Sequence, residues 1–431
     1  MESPERQISQ LWKTEDWWAV WLAFALFAFA SCIPRVPKPG TWVANPAEGL
    51  PLDLVGPLLL LMVGLGALVL ISLMAMKAEP WRFLVAFPVV FIVTVFSHLI
   101  AGQETIKAYG LGYAFWALLV GLLVSNTVGI PDWLRAAVKT ELYIKIGLVL
   151  LGGEILFTKM LALGAQGLVV AWVVTPVVIV FMYLFGTRWL KMTSKSLVIV
   201  IAAATSVCGV SAAIAAAGAC RAKKEELTTA VGMTLIFTVL MMVLMPLGIK
   251  WLAMDTAVGA AWMGGTIDAT GAVVAAGTML GKEAMNIAAV VKMIQNVLIG
   301  LVAFVIAVLW VTRVERDPDG PRPSAMEIWY RFPKFIVGFV AASLLFSFVL
   351  TPTIGDEAVG TLLKVSKGFR SCFFCMAFVS IGLDSNFMDL GKQMRGGKPL
   401  LLYVVGQSFN LVLTLVMAYL AFGGILFPKP V

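Results

Sequence analysis

The chain has 431 residues, 60% of them hydrophobic and 13% charged, with a formal net charge of +8. A soluble domain carries about 25% charged residues, so this composition excludes one, and long apolar runs along the whole length define an all-α polytopic membrane protein. The positive charge is spread over short loops, where it is a topology signal and does not imply nucleic-acid binding.

At about 20 residues per crossing, thirteen spans are expected, at roughly 17–34, 54–76, 83–101, 110–126, 142–157, 167–186, 196–220, 227–250, 256–277, 285–311, 333–352, 367–385 and 399–426. No small-residue cleavage site follows the first run, Trp17 to Ile33; Cys32, Pro34 and Pro37 stand there, so it reads as a retained helix. The longest polar connections are Arg35 to Asp53 and Thr312 to Arg331, too short for a soluble domain. Lys and Arg favour the side that holds the N-terminus, with Arg188, Lys191, Lys195 and Lys334; the opposite side has chiefly Arg221, Lys223, Lys224, Lys364, Lys367 and Arg370. The positive-inside rule then makes the N-terminus cytoplasmic.

Spans four to eight and nine to thirteen can be laid side by side as a weak internal repeat. The second member of each carries a lysine, Lys145 and Lys292. The fourth members, Ala202–Ala219 and Cys375–Asn386, are both small and polar in the middle. A unit of five spans is odd, so the second copy must lie inverted, as in many transporters. The expected organisation is accessory helices over 1–105, a first five-helix repeat over 106–252 and a second, inverted one over 253–431.

Ala202–Ala219 carries Thr205, Ser206, Gly209 and Ser211 where a lipid-facing helix would carry Leu, Phe and Val. Such a stretch either lines a midplane site as a broken helix or packs tightly through small-xxx-small contacts. Gly264-Gly265 followed by Thr266 and Asp268 reads as a second unwound segment. Asp268 is the best candidate to take a coupling proton or sodium; it can equally cap the half-helix that begins there. Ionisable groups inside spans are costly and usually functional; the others are Lys145, Glu154 and Lys292, with Asp384 nearer an end. At about 100° per residue, Lys145 and Glu154 fall on opposite faces and do not pair locally. Lys292 and Asn296 share a face with Gln295 beside them and would suit an anion or a polar zwitterion; the alternative for each lysine is snorkelling to a headgroup. Half-helix N-termini at Thr205, Ser206, Gly209, Ser380 and Gly382 would make an anion cradle near both lysines. The five scattered cysteines are no disulfide framework. Cys372 and Cys375 have neither a second pair nor a nearby histidine to complete a metal site. His98, the single histidine, reads as a buried or interfacial side chain. No nucleophile elbow, metal cluster or phosphate loop supports an enzyme.

Three motifs carry a family resemblance. Thr205-Ser206-Val207-Cys208-Gly209-Val210-Ser211-Ala212, Gly265-Thr266-Ile267-Asp268 with Asn286 through Met293, and Met376 through Leu383 with Gly397-Lys398-Pro399-Leu400 resemble, in order and spacing, those of the Putative Sulfate Exporter family of bacterial membrane proteins. The resemblance covers about three quarters of the chain, from Ala108 onward. It implies a fold like that of bile-acid and sodium–proton transporters, with two inverted five-helix repeats and crossed discontinuous helices; the first two spans look like an addition. Two positions depart from the family pattern: Asp268-Ala269 stands for His-Glu, and Glu154 for an arginine. Acidic replacements hold an anion less well.

The leading expectation is a secondary active transporter of the bacterial inner membrane, an exporter of sulfate, sulfite or an organosulfonate by alternating access. Lys145, Lys292, Asn296, Thr205, Ser206, Cys208, Gly209, Ser380 and Gly382 would bind substrate, and Asp268, Glu154 and Thr266 would bind the coupling ion. No cofactor is expected beyond H+ or Na+, and no partner beyond the anion, the bilayer and a second copy in a homodimer. The alternatives are a cation–proton antiporter and a non-transporting membrane sensor.

Overall fold

The protein is described here by a computed structural model, which covers residues 11–108, 112–155, 157–314, 329, 332–385 and 397–429. Most of the polar connection after Thr312 lies outside them. Backbone at membrane depth must satisfy its own hydrogen bonds, which leaves apolar segments of this length only the helix. The main helices are α1 (Glu15–Ala30), α2 (Leu52–Ala75), α3 (Pro80–Ala101), α4 (Tyr113–Thr127), α5 (Thr140–Glu154), α6 (Phe157–Leu184), α7 (Lys195–Ala203), α8 (Gly209–Ala219), α9 (Lys224–Trp251), α10 (Thr256–Thr266), α11 (Thr270–Leu280), α12 (Lys282–Leu309), α13 (Lys334–Leu344), α14 (Asp356–Asp384) and α15 (Gly397–Phe422). No strand occurs among the described residues. Each expected span coincides with a helix or a pair of half-helices, and among the described residues eight helices are long and apolar enough to cross a membrane. The chain is thus an all-α polytopic membrane protein.

Contacts divide it into two compact units: Met1–Lys159 with Lys334–Asn386, and Met160–Pro333 with Phe387–Val431. In the first unit α4 and α14 meet backbone to backbone. A Cβ on Gly382 would lie 2.5 Å from the Leu118 carbonyl oxygen, and one on Gly121 2.5 Å from that of Val379. Asn126 fastens the same pair by donating to the Ser385 carbonyl at 2.9 Å. Here the structure corrects an expectation. The segment around Ser380 and Gly382 is not a broken helix, since α14 runs unbroken to Asp384. Gly382 is small because α4 touches it.

The two interruptions expected at Ala202–Ala219 and Gly264–Asp268 lie in the second unit. The α7–α8 helix widens into a π-helical turn at Ala204–Cys208, and α10 and α11 are separate half-helices joined by Ile267, Asp268 and Ala269. Side chains fix their outer ends. Ser194 caps α7 by accepting from the Leu197 N–H at 3.1 Å. Its hydroxyl and that of Ser196 donate to Glu226 in the first turn of α9. Asp255 caps α10, accepting from the Ala257 N–H at 2.9 Å.

Candidate functional site

A helix that changes register or stops leaves carbonyls without intrahelical partners. The register change in α7 follows its sequence. The Thr205 hydroxyl donates back to the Ile201 carbonyl at 2.9 Å and that of Ser206 to Ala202, competing with the helical ladder. The carbonyls released at both interruptions are met by side chains. Asn410 donates to Thr205 O at 3.2 Å, Gln295 and Thr175 to Ser206 O at 2.9 and 3.0 Å, and Lys292 to Val207 O. On the other interruption Gln295 donates to Gly265 O at 3.0 Å and Gln407 to Thr266 O at 3.1 Å. One amide, Gln295, therefore spans both broken helices, and its oxygen accepts from the Lys292 ammonium at 2.7 Å. The ammonium lies at the negative, carbonyl end of α7. Lys292 is 1% exposed, which rules out snorkelling.

Beyond the interruptions, α8 and α11 begin with N–H ends. Their N-cap residues, Cys208 and Ala269, make no side-chain cap. Gly209, the first residue of α8, lets the two interrupted segments approach: a Cβ there would stand 3.5 Å from that of Asp268 and 2.5 Å from Thr234 Cγ2. The Cys208 thiol is 3.6 Å from the Thr270 hydroxyl, which accepts from Asn296 Nδ2 at 2.9 Å. Asp268 is 1% exposed. Its Oδ2 accepts from the Tyr403 hydroxyl, and its Oδ1 has no hydrogen-bond partner. Asp268 does not cap α11, as its sequence position allowed; the carboxylate turns to Tyr403 instead. Asp268 and Lys292 lie in each other's field without forming an ion pair among the described residues. The Thr266 hydroxyl and the side-chain oxygens of Asn296 and Gln407 are also buried without partners.

One face of the site was missed in the sequence. Tyr403, Gln407, Asn410 and Thr414 form a buried polar stripe along α15, and Thr414 donates to Asn410 Oδ1 at 2.9 Å. Their spacing of four, three and four residues in an apolar span is the helical period that marks one face. Thr205 and Ser206 serve the site through their carbonyls, at the end of α7, and not as the expected N-terminal donors of α8.

The family described as conserved hypothetical protein 698 matches residues 86–403. The chain belongs to that family. Among members of the UPF0324 membrane proteins, one from Rhodopirellula baltica is 55% identical over 391 residues, covering 90% of this chain and 72% of its own length. One from Nitratidesulfovibrio vulgaris is 52% identical, covering 88% of this chain and 66% of its own length. One from Nitrosomonas europaea is 30% identical across 93% of this chain and 94% of its own length. No solved structure matches. The likeness to sulfate exporters read from the motifs is consistent with membership of the conserved hypothetical protein 698 family. Like its named relatives, the chain is a multi-pass membrane protein.

In this family member, Lys145, Glu154, Ser380 and Gly382 belong to the first unit, and the Asp268–Lys292 locus to the second. Lys145 forms ion pairs with Asp16 at 2.9 Å, Glu15 at 3.0 Å and Glu141 at 3.5 Å. Three carboxylates already compensate it, so the expected balancing of substrate charge gains no support from its surroundings; it ties α1 to α5. Glu154 pairs bidentately with Arg370, Nε to Oε1 at 2.6 Å and Nη2 to Oε2 at 3.2 Å, both side chains 4% exposed. A carboxylate so engaged lends the coupling-ion expectation for Glu154 no support. Arg370 is buried in α14 over the Phe374 ring, and so is not a loop charge that bears on topology. Ser380 is buried within unbroken α14. Asp384 accepts from the Thr140 hydroxyl at 3.3 Å. His98 stacks on Tyr113 at 4.7 Å.

Proposed function

We propose that this protein is a secondary active transporter of the bacterial inner membrane that exports a small anion such as sulfate, sulfite or an organosulfonate. One observation carries the reading. Two half-helices begin without side-chain caps in one buried place, with Lys292 and Asp268 beside them. Each helix start carries about half a positive charge. The ammonium offsets the carbonyl end of α7 where it sits, and the two helix starts remain as the positive ends that favour an anion on their side of the junction. Lys292 and Asn296, with the starts of α8 and α11 at Cys208, Gly209 and Thr270, form the seat. Asp268 takes the coupling cation. No covalent step is involved, so the protein is read as a carrier and not an enzyme.

The test is flux through the purified protein in liposomes loaded with sulfate, sulfite or ethanesulfonate. Efflux of at least one of them, lost in Lys292→Met, is the expected result; no flux of any anion overturns the reading. A cation–proton antiporter is the second reading, because Asp268 Oδ1 is an acceptor without a partner. Sodium-driven proton movement with no anion flux would select it.

A further inference from the structure

The family likeness leaves the coupling ion open, but the two interruptions bear on it. In transporters with broken helices, a sodium ion is held by unwound carbonyls and half-helix C-terminal ends. Here those carbonyls are taken. Thr205 O, Ser206 O, Val207 O, Gly265 O and Thr266 O each accept a side-chain N–H, from Asn410, Gln295, Lys292, Gln295 and Gln407 in turn. A sodium ion on their remaining lone pairs would lie beside these donors, one of which is itself a cation that repels it.

The other half of the junction asks for a different ion. Asp268 lies one residue before the N-cap of α11 and against Gly209, the first residue of α8. Its Oδ1 is buried and has no partner. Ionised, the carboxylate sets a negative charge beside the positive helix ends that an anion would use, and a second negative charge there is repelled. Protonated on Oδ1, the same group is neutral and becomes a donor. The charged and titratable groups facing Asp268 agree with this division. Tyr403 on α15 donates to Oδ2 and leaves Oδ1 for the proton. Lys292 on α12 already has two acceptors, Val207 O and Gln295 Oε1. Cys208 at the start of α8 lies against Thr270, and α9 presents the Thr234 side chain near Gly209, not a charge.

We infer that the coupling ion is a proton, which Asp268 must take up before an anion can sit at the starts of α8 and α11, so that proton and anion bind together. The inference rests on the anion-transporter reading and names its coupling. The step is carboxylate plus proton plus anion giving carboxylic acid plus bound anion, with no covalent bond to the substrate.

Titration calorimetry of the purified full chain with sulfate and with ethanesulfonate tests it, since neither takes up a proton near neutral pH. Runs in two buffers of different ionisation enthalpy count the protons absorbed. The expected result is one proton per anion, and affinity falling about tenfold per pH unit where Asp268 is ionised. Asp268→Asn should bind the same anion with no proton uptake and no pH dependence. Should that variant fail to fold, Tyr403→Phe provides a second handle: losing the donor to Oδ2, it should carry tight binding to higher pH. Anion binding without proton uptake, or binding that follows sodium and ignores pH, overturns the inference and leaves the transporter reading standing. Binding of neither anion at any pH overturns both.

Discussion

Gln295→Leu tests whether one amide fastens both broken helices. Leucine roughly keeps the volume but removes two donors and one acceptor. Gly265 O would be left bare, because Gln295 is the donor it has. Stranding a buried carbonyl costs about 1–3 kcal/mol. Ser206 O would keep the Thr175 hydroxyl and lose only a second bond, worth about 0.6 kcal/mol between membrane helices. Lys292 would lose a charged hydrogen bond, worth about 1.5–3 kcal/mol. The variant should therefore be about 3–7 kcal/mol less stable, measured by denaturant unfolding in detergent. Gln295→Glu keeps the acceptor for Lys292 but not the donors, so it should recover the lysine's share and no more. A loss below about 0.5 kcal/mol for Gln295→Leu, on the scale of an ordinary surface change, would show that the interruptions are not held by this residue.

Other outcomes follow from the same geometry. Arg370→Met should cost about 3–5 kcal/mol by stranding the buried Glu154 carboxylate, and Arg370→Met with Glu154→Leu should recover most of it; a double-mutant cycle without coupling would reject the pair. Gly382→Ala pushes a methyl against the Leu118 carbonyl and should cost about 1–3 kcal/mol, read by unfolding midpoint. Lys145→Met should lower stability and leave the transport KM unchanged, whereas Lys292→Met should abolish transport; a raised KM in the former would return Lys145 to the substrate site. Asp255→Ala should lose about 1 kcal/mol of capping. The hydrogen bond from Lys429 holds the Asp255 carboxyl below its usual range. That stabilisation is complete above the unfolded carboxyl range and fades as pH falls through the folded value. Asp255→Asn should therefore show a shallower acid loss of stability than the wild type.

What the sequence disclosed, and what it hid, divides by range. The two interruptions are legible because Ala202–Ala219 and Gly264-Gly265-Thr266 lack the bulk a lipid-facing helix needs. Lys292 and Asn296 are legible because their spacing puts them on one face. Ser380 and Gly382 misled, since a small polar patch looks the same whether a helix unwinds or touches its neighbour closely; only the contact with Gly121 decides. Glu141 is a local partner of Lys145, but the partners that fix the settings of Lys145 and Glu154 were hidden because they lie far along the chain, 130 residues away at Glu15 and 216 at Arg370. The α15 stripe was legible in its spacing, yet no single residue of it is charged, and a search for ionisable groups passes over Tyr403 and Gln407.

The seat at the starts of α8 and α11 can be tested by protection of a thiol. Cys208 stands at the N-cap of α8 and is a reduced thiol, as are Cys32, Cys220, Cys372 and Cys375. A variant with the other four replaced by alanine leaves it as the single target for a small anionic thiol reagent in membranes. Sulfate or ethanesulfonate should slow that labelling severalfold in the wild-type site and have no effect once Lys292→Met is added. Labelling of Cys208 at the same rate with and without every anion tried, in a protein that transports one of them, would place the substrate elsewhere and contradict the account.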